Sequence, residues 1–172
     1  MNDIINRRSG EHNVGSVIEL LFIEKEKITA GLPVKQITLK DAIINLSDLT
    51  LGTGLAWYKA EFVPETSMWE STEETTAQGP LYKDKVTFKV AKHEHGRRKY
   101  FEDMEGHELA VFAKDFNGYG ALFCYDTLDR ERHGMRITKT KTTGEKRGSR
   151  NEYGFLFYME SFCQPWPAIN DL

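Results

Sequence analysis

The stretch Glu108–Tyr125, ELAVFAKDFNGYGALFCY, constrains the fold more than any other part of the chain. Two apolar runs flank the dipeptide Asn117-Gly118, and such a dipeptide is the strongest short-range signal for a β-hairpin with a two-residue turn. A two-residue turn would place Phe112 opposite Phe123. We therefore expect a tight hairpin at the centre of the fold.

Both faces of this predicted hairpin are apolar. Side chains alternate along a strand, so the two faces would carry Val111, Ala113, Leu122 and Cys124 on one side, and Phe112, Phe123 and Tyr125 on the other. A hairpin with one face in water alternates polar and apolar residues instead. We therefore expect a second sheet, a helix or another subunit to cover each face.

The remaining chain is rich in strand signals. Apolar or alternating runs predict strands at Val17–Ile23, Leu55–Phe62, Lys85–Ala91, Met135–Lys141 and Tyr153–Phe162. A single helix is predicted over Gly96–Glu105, with Gly106 as its left-handed cap. We expect a single mainly β domain over residues 1–172, a β-sandwich or partly closed barrel with one packed α-helix. A flexible N-terminal arm (1–14), a protruding loop or hairpin (66–80) and an extended C-terminal tail (163–172) would complete it.

Composition excludes several classes of protein. The chain has 172 residues with 12% aromatic content and a net charge of −3, which argues against disorder and gives no global case for nucleic-acid binding. No apolar run approaches the roughly 20 residues that span a bilayer, and the N-terminus does not resemble a secretory signal. The two cysteines, Cys124 and Cys163, indicate a reducing compartment, and the sequence does not decide whether they pair.

The sequence contains no catalytic motif. G-x-S-x-G, the P-loop and H-E-x-x-H are all absent, so we expect no enzymatic activity and no cofactor. His93 and His95 are spaced to share a metal ion, but a closed site needs further ligands. We expect these histidines to be solvent-exposed or locally bonded.

Charge is unevenly distributed along the chain. No Lys or Arg occurs between Ala60 and Tyr82, whereas basic residues are frequent directly afterwards. The two segments are either solvated faces of a monomer or complementary patches on neighbouring copies. In the second case the subunit interface would include Met68, Trp69, Glu70, Glu73, Glu74, Lys83, Lys85, Arg97 and Arg98.

A second basic segment follows near the C-terminus. Its cations are Lys139, Lys141, Lys146, Arg147 and Arg150. They could contact the phosphates of DNA along its path, and such binding would be salt-dependent and independent of the nucleotide sequence. The segment has no aromatic residue for base stacking, so a solvated loop or a contact with an acidic partner is the alternative.

The order of several segments resembles a known family. These are WYKAEFVPETS (57–67), GPLYKDKVTFKVAK (79–92), RRKYFEDMEG (97–106), ELAVFAKDFNGYGALF (108–123), TTGEKRGSRNEYGFLFYMESF (142–162) and the Pro-containing tail. Together they resemble the tail-tube-like structural proteins of tailed phages of Bacteroidetes hosts, including crAss-like phages. From Trp57 onward the resemblance spans about two thirds of the chain.

The resemblance implies a virion structural protein with a β-rich tail-tube fold. Such a subunit would form a ring of six or twelve copies, or a tube segment, around the DNA path in the neck or tail. Its partners would be further copies, adjacent neck, tail or portal-proximal proteins, and genomic DNA passing without sequence-specific contact, but no membrane. It would assemble in the host cytoplasm and reside in the virion, as a tube, ring, stopper or terminator subunit.

Two other functions remain open at this point. Trp57, Tyr58 and Trp69 could form an aromatic platform for a glycan or peptide in a monomeric β-sandwich. The basic segment could instead make the chain a nucleic-acid-binding barrel. The glycan- or peptide-binding function requires the three aromatic side chains to lie on an open concave face and not in subunit contacts.

Overall fold

The computed structural model describes residues 16–34, 43–63, 65–91, 95–126, 132–140, 152–162 and 164–171, with the backbone alone at 91, 95–98, 140 and 152. The elements are β1 (Val17–Glu24), β2 (Ile28–Ala30), β3 (Ile44–Asn45), β4 (Thr50–Leu51), β5 (Tyr58–Lys59), β6 (Met68–Thr76), β7 (Gly79–Ala91), α1 (His95–Asp103), β8 (Glu108–Asp115), β9 (Gly120–Asp126), β10 (Arg132–Thr140), β11 (Glu152–Ser161) and β12 (Trp166–Ile169). Short 3₁₀ turns cover Lys25–Lys27 and Leu46–Asp48. The predicted class, mainly β with one short helix, is confirmed.

Most strands belong to one curled sheet. Its path runs β3-β12-β9-β8-β10-β11-β7-β6, and β1 joins it along β8 while also pairing with β5. A single bridge between Ser16 and Met68 brings the start of β1 to the start of β6. The sheet is a curled, open half-barrel, and this bridge links its β1–β5 branch to the edge strand β6.

Hydrophobic side chains cover both faces of the β8–β9 hairpin. Val111, Phe123 and their neighbours on one face enter a cluster with β1, β7, β10, β11 and Phe101 of α1. Phe112 and Leu122 on the other face pack against the segment from β2 to β4. The expectation that both faces are covered is confirmed, and this chain itself supplies the cover.

The register of the β8–β9 hairpin differs from the prediction by one residue. Val111 lies opposite Phe123 and Phe112 opposite Leu122, so the predicted Phe112–Phe123 pair is wrong. The turn has three residues, since the Asp115 amide donates to the Tyr119 carbonyl at 2.8 Å. The Asp115 side chain accepts from the Tyr119 amide, also at 2.8 Å, and stabilises this longer turn.

Gly118 takes the one left-handed position in this turn, with φ of 82°. Its amide donates to the Asp115 carbonyl at 3.1 Å, which closes a four-residue turn whose last residue is the glycine. This arrangement is the common three-residue hairpin loop, which needs one positive φ where a two-residue turn needs two.

Other segments depart from their predicted lengths. Only Tyr58–Lys59 of the predicted strand Leu55–Phe62 pairs as a strand. The segment 66–80 is not a loop, because β6 occupies most of it and forms a long hairpin with β7. The predicted extended C-terminal tail (163–172) carries a strand of the sheet: Trp166 pairs with Leu122, and β12 lies beside β9.

The helix agrees closely with its prediction. It spans His95–Asp103, and Gly106 follows with φ of 90°. The aromatic ring of Phe101 reaches the core, where it lies 4.9 Å from Phe155 and 5.3 Å from Phe88 between ring centroids. The N-terminal arm and the segment 141–150 lie outside the described residues.

A charged cluster fixes the 3₁₀ turn at Lys25 against the sheet. The Lys25 ammonium contacts the Glu108 carboxylate and donates to the Arg132 carbonyl at 2.6 Å. Arg136 donates to the same carboxylate at 3.0 Å. Burial alone would raise the pKa of Glu108, but the hydrogen bonds and charges of Lys25 and Arg136 outweigh it and lower that pKa.

Candidate interaction edge and cleft

Most of the predicted interface residues come together on the β6–β7 hairpin. These are Met68, Trp69, Glu70, Glu73, Glu74, Lys83 and Lys85. Arg97 and Arg98 lie in α1, and their side chains are outside the description. The acidic segment and the basic residues that follow it therefore belong to one hairpin, in which Trp69 and Glu73 lie on the opposite face from Met68, Glu70 and Glu74.

The outer face of this hairpin carries opposite charges on its two strands. Glu74 and Lys83 form an ion pair of 2.5 Å, and the hydrogen bond from Lys83 lowers the pKa of Glu74. Glu70 lies directly opposite Lys85 in the strand register. At these positions the complementary charges meet within one chain.

β6 forms the exposed edge of the curled sheet. It pairs with β7 along nine residues, from Met68 opposite Thr87 to Thr76 opposite Gly79. Apart from the bridge to Ser16, no strand within the described ranges lies on its other side. Its side chains are exposed except at Trp69 and Thr76. An open strand of this length is a template for pairing with another chain.

The tip of the hairpin extends beyond the sheet. The last pair between β7 and β11 is Tyr82 with Ser161, whereas β6 and β7 stay paired to Thr76 and Gly79. The residues from Glu73 to Leu81 are thus supported mainly by each other. This geometry agrees with a protruding hairpin at 66–80.

A cleft of about 310 Å³ lies on the other face of β6. Its walls are Trp69, Ser71, Glu73, Tyr82, Tyr119, Gln164 and Pro165. The volume is at the lower end of the range for small-ligand pockets. Three separate parts of the chain build it: the β6–β7 hairpin, the β8–β9 turn and the segment that leads into β12.

Aromatic contacts hold the cleft in shape. The rings of Trp69 and Tyr119 stack with centroids 5.9 Å apart and planes at 14°. Trp69 also meets the edge of the buried Phe123 ring at 5.2 Å. Across the cleft, the Gln164 amide donates to the Tyr82 hydroxyl at 3.3 Å. Trp69 is therefore anchored to the core while lining the surface.

Asp84 is a buried carboxyl directly behind this surface. Only 2% of the residue is exposed, and its Oδ1 atom has no hydrogen-bond partner among the described residues. Burial raises the pKa of the Asp84 carboxyl, while nearby Ser71 and Trp69 act in the opposite direction. The sequence analysis missed Asp84. The alternation that places Val86 and Phe88 in the core could have found it, because Asp84 is the next residue on the same face of the strand.

The other predicted sites are not assembled in the described residues. Lys139 pairs with Glu102 at 2.5 Å and lies 5.2 Å from the Tyr153 ring centroid. Lys141, Lys146, Arg147 and Arg150 lie outside the description. The three aromatic residues of the predicted platform do not share a surface, because Trp57 packs on the second core cluster and neither it nor Tyr58 lines the cleft.

The cysteine and histidines show ordinary environments where they are described. Cys124 is buried, and burial raises the pKa of its thiol to about 12, while Cys163 lies outside the description. His133 stacks on Tyr125 at 5.2 Å. Across the described ranges no cluster of three or more His, Cys, Asp or Glu side chains has a metal-binding arrangement. None of the helices in those ranges is long and apolar enough to cross a membrane.

With this geometry established, the chain was compared with known proteins. No protein-family model, curated protein or solved structure matches it.

Proposed function

We propose that this chain is a structural protein of a tailed phage virion that forms a ring or tube segment around the DNA path in the neck or tail. The observation that carries the proposal is β6, an exposed strand of nine residues at the edge of a curled sheet. The order of sequence segments that resembles tail-tube-like proteins supports it independently.

Assembly would use this edge as a head-to-tail contact. A strand of a neighbouring copy placed beside β6 would satisfy its outward amide and carbonyl groups and remove the open edge. Because each copy offers one edge and receives another, the contact closes into a ring when its rotation permits. The protruding tip from Glu73 to Leu81 would extend over the neighbour.

The role is mechanical and requires no cofactor. Six or twelve copies would surround the DNA, which passes without sequence-specific contact. Adjacent neck, tail or portal-proximal proteins would bind the two rims of the ring. The protein would reside in the virion after assembly in the host cytoplasm.

The test is the oligomeric state of the purified protein across a concentration series, measured by mass photometry and negative-stain imaging. We expect closed rings or stacked tubes with one defined copy number. Detection of the chain in purified virions by mass spectrometry is the second expected result. A monomer at the highest concentration, together with absence from virions, would contradict the proposal.

A further inference from the structure

We propose that β6 and the adjacent cleft capture an extended basic segment of a partner protein, which adds a strand beside β6 and places a Lys or Arg side chain in the cleft. This inference goes beyond the proposed function. Where β6 contacts a neighbouring copy, the strand beside it would be a basic segment of that copy, and the inference applies equally to a chain that remains monomeric. It also states the chemistry of the partner.

The backbone of β6 provides the first half of the site. In strand addition, main-chain hydrogen bonds supply affinity, and pockets for alternate side chains supply specificity. β6 offers an open edge from Trp69 to Thr76, beyond the bridge at Met68. The cleft lies beside the same strand, so one bound segment can use both.

Strand periodicity brings partner side chains to the cleft. Trp69, Ser71 and Glu73 are spaced two residues apart and share the face that lines it. Successive side chains of an added strand point to opposite faces of the sheet. Every second side chain of the partner would therefore lie on the cleft side of β6.

The charges of the hairpin indicate a cation. On the outer face Glu74 is paired with Lys83, whereas Glu73 on the cleft face lies opposite Tyr82 and has no ion pair or hydrogen bond with any described residue. A basic side chain would supply the missing partner. An apolar side chain would instead cover this carboxylate without compensating it, which costs free energy.

The aromatic residues of the cleft favour the same occupant. Trp69, Tyr82 and Tyr119 line it together with Glu73. Aromatic rings attract ammonium and guanidinium groups, and the attraction grows when the cation is removed from water. A carboxylate among three aromatic rings thus fits Lys or Arg better than an anion or a neutral group.

A second copy of β6 is disfavoured as the partner strand. Antiparallel pairing of two β6 strands would bring two segments that each carry Glu70, Glu73 and Glu74 side by side. Like charges on directly opposed or neighbouring strands are destabilising. The partner strand is therefore a different, basic segment.

The experiment measures binding of a fluorescent synthetic peptide, as long as β6 and alternating Thr and Lys, by anisotropy at a protein concentration where the chain is monomeric. We expect saturable binding. Two matched peptides, one with Glu in place of Lys and one with N-methylated backbone, should bind about tenfold more weakly or worse, because they lose the charge match or the strand pairing.

Protein variants locate the site. Glu73→Gln should weaken binding of the Lys peptide about tenfold, whereas Glu70→Gln, an equal charge change on the outer face, should alter it by about twofold or less. Tyr119→Leu should also weaken it, and far-UV circular dichroism confirms that each variant is folded. Absence of saturable binding, equal binding of the Lys and Glu peptides, or equal losses in the two Glu variants would overturn the inference. Ring formation is measured separately by mass photometry, so a chain that fails to form rings can still pass or fail the peptide-binding test.

Discussion

Asp84 places a carboxyl group where its strand otherwise buries apolar side chains. Val86, Phe88 and Val90 follow it at intervals of two and are at most 1% exposed. Asp84 lies two residues before Val86, so its side chain belongs to the same core-facing side of β7. At the scale of single residues, periodicity predicts burial, but it does not reveal that one oxygen of this carboxyl, Oδ1, has no hydrogen bond among the described residues.

Replacing Asp84 with Asn should stabilise the protein at neutral pH. Burial raises the pKa of this carboxyl, so the native state resists its ionisation more than the unfolded chain does. Wild-type stability therefore falls as the pH rises above the ordinary value of 3.8, toward the raised native pKa. We expect Asp84→Asn to gain about 1 kcal/mol at pH 7, because an unsatisfied buried oxygen costs more in a charged carboxylate than in a neutral amide.

Urea denaturation across a pH series measures this effect. The advantage of Asp84→Asn should vanish once the pH is below 3.8, where the carboxyl is neutral in both states. Glu70→Gln, an exposed substitution, serves as the control and should show no comparable trend. A variant that is less stable than wild type at every pH would mean that the carboxylate makes a contact essential to the fold.

Glu108 should show the opposite pH dependence. The bonds from Lys25 and Arg136 outweigh burial and lower the pKa of Glu108, so its stabilising effect is present above its ordinary pKa of 4.5 and is lost as the pH falls through the native value. Glu108→Gln should cost about 1.5–3 kcal/mol at pH 7, the range for hydrogen bonds to charged groups. The same denaturation series should show this cost shrinking in acid. A cost independent of pH would assign it to packing.

At the scale of elements, the sequence of the β8–β9 hairpin predicts the positions of its two strands but not their register. The prediction placed both strands and the cover on both faces correctly, because the apolar runs are long. It missed the register, because two apolar faces remove the usual penalty for a one-residue slip. The choice depends on the turn, where Asp115 bonds to the Tyr119 amide and only Gly118 needs a positive φ.

β12 illustrates a pairing that local sequence does not encode. Two prolines predict an extended tail, and the strand is extended, but its partner Leu122 lies far away in the chain. Close contact supports this pairing: a Cβ atom added at Gly120 would collide with the backbone carbonyl of Ala168. The C-terminal strand thus needs glycine at that position.

Gly120→Ala should displace β12 and destabilise the protein by about 1–3 kcal/mol, the cost of overpacking a well-packed interior. Relative to wild type, the variant should show a larger increase in amide hydrogen-exchange rates in β12 than in β11. Gly52→Ala is the matched control, since the nearest atom to its Cβ would be the flexible end of Leu55 at 3.0 Å, and the nearest backbone atom would be the Lys27 carbonyl oxygen at an ordinary 3.8 Å. Equal exchange rates in β12 before and after the Gly120 substitution would contradict the predicted displacement.

At the scale of the whole molecule, the sequence predicted the fold class, and two of the predicted interface residues, Trp69 and Glu73, line the cleft. The acidic run in β6 and the basic run in β7 located the hairpin, because both are continuous in sequence. The cleft was not predictable in this way. Tyr119 and Gln164 reach it from other segments, and only the folded sheet brings them beside Trp69.

Shortening the hairpin tests whether its tip drives assembly. Joining Thr72 to Lys83 through Asn-Gly removes residues 73–82, and with them the Tyr82–Ser161 pair, while retaining the cross-strand pair of the two junction residues. We expect a folded protein with nearly unchanged thermal unfolding that no longer forms rings in mass photometry. The full-length double variant Glu73→Gln/Glu74→Gln controls for the lost charge. Normal rings from the shortened chain would exclude a role of the tip in assembly.

The length of β7 has a mechanical consequence. This strand runs from the hairpin tip at Gly79 to Ala91, and ten consecutive residue pairs join it to β11. A pull on the tip along the strand loads these hydrogen bonds together in shear instead of opening them one at a time. The hairpin would then transmit a pulling force from its tip into the half-barrel. β6, the edge most exposed to a neighbour, is joined to the core through the long pairing of β7 with β11.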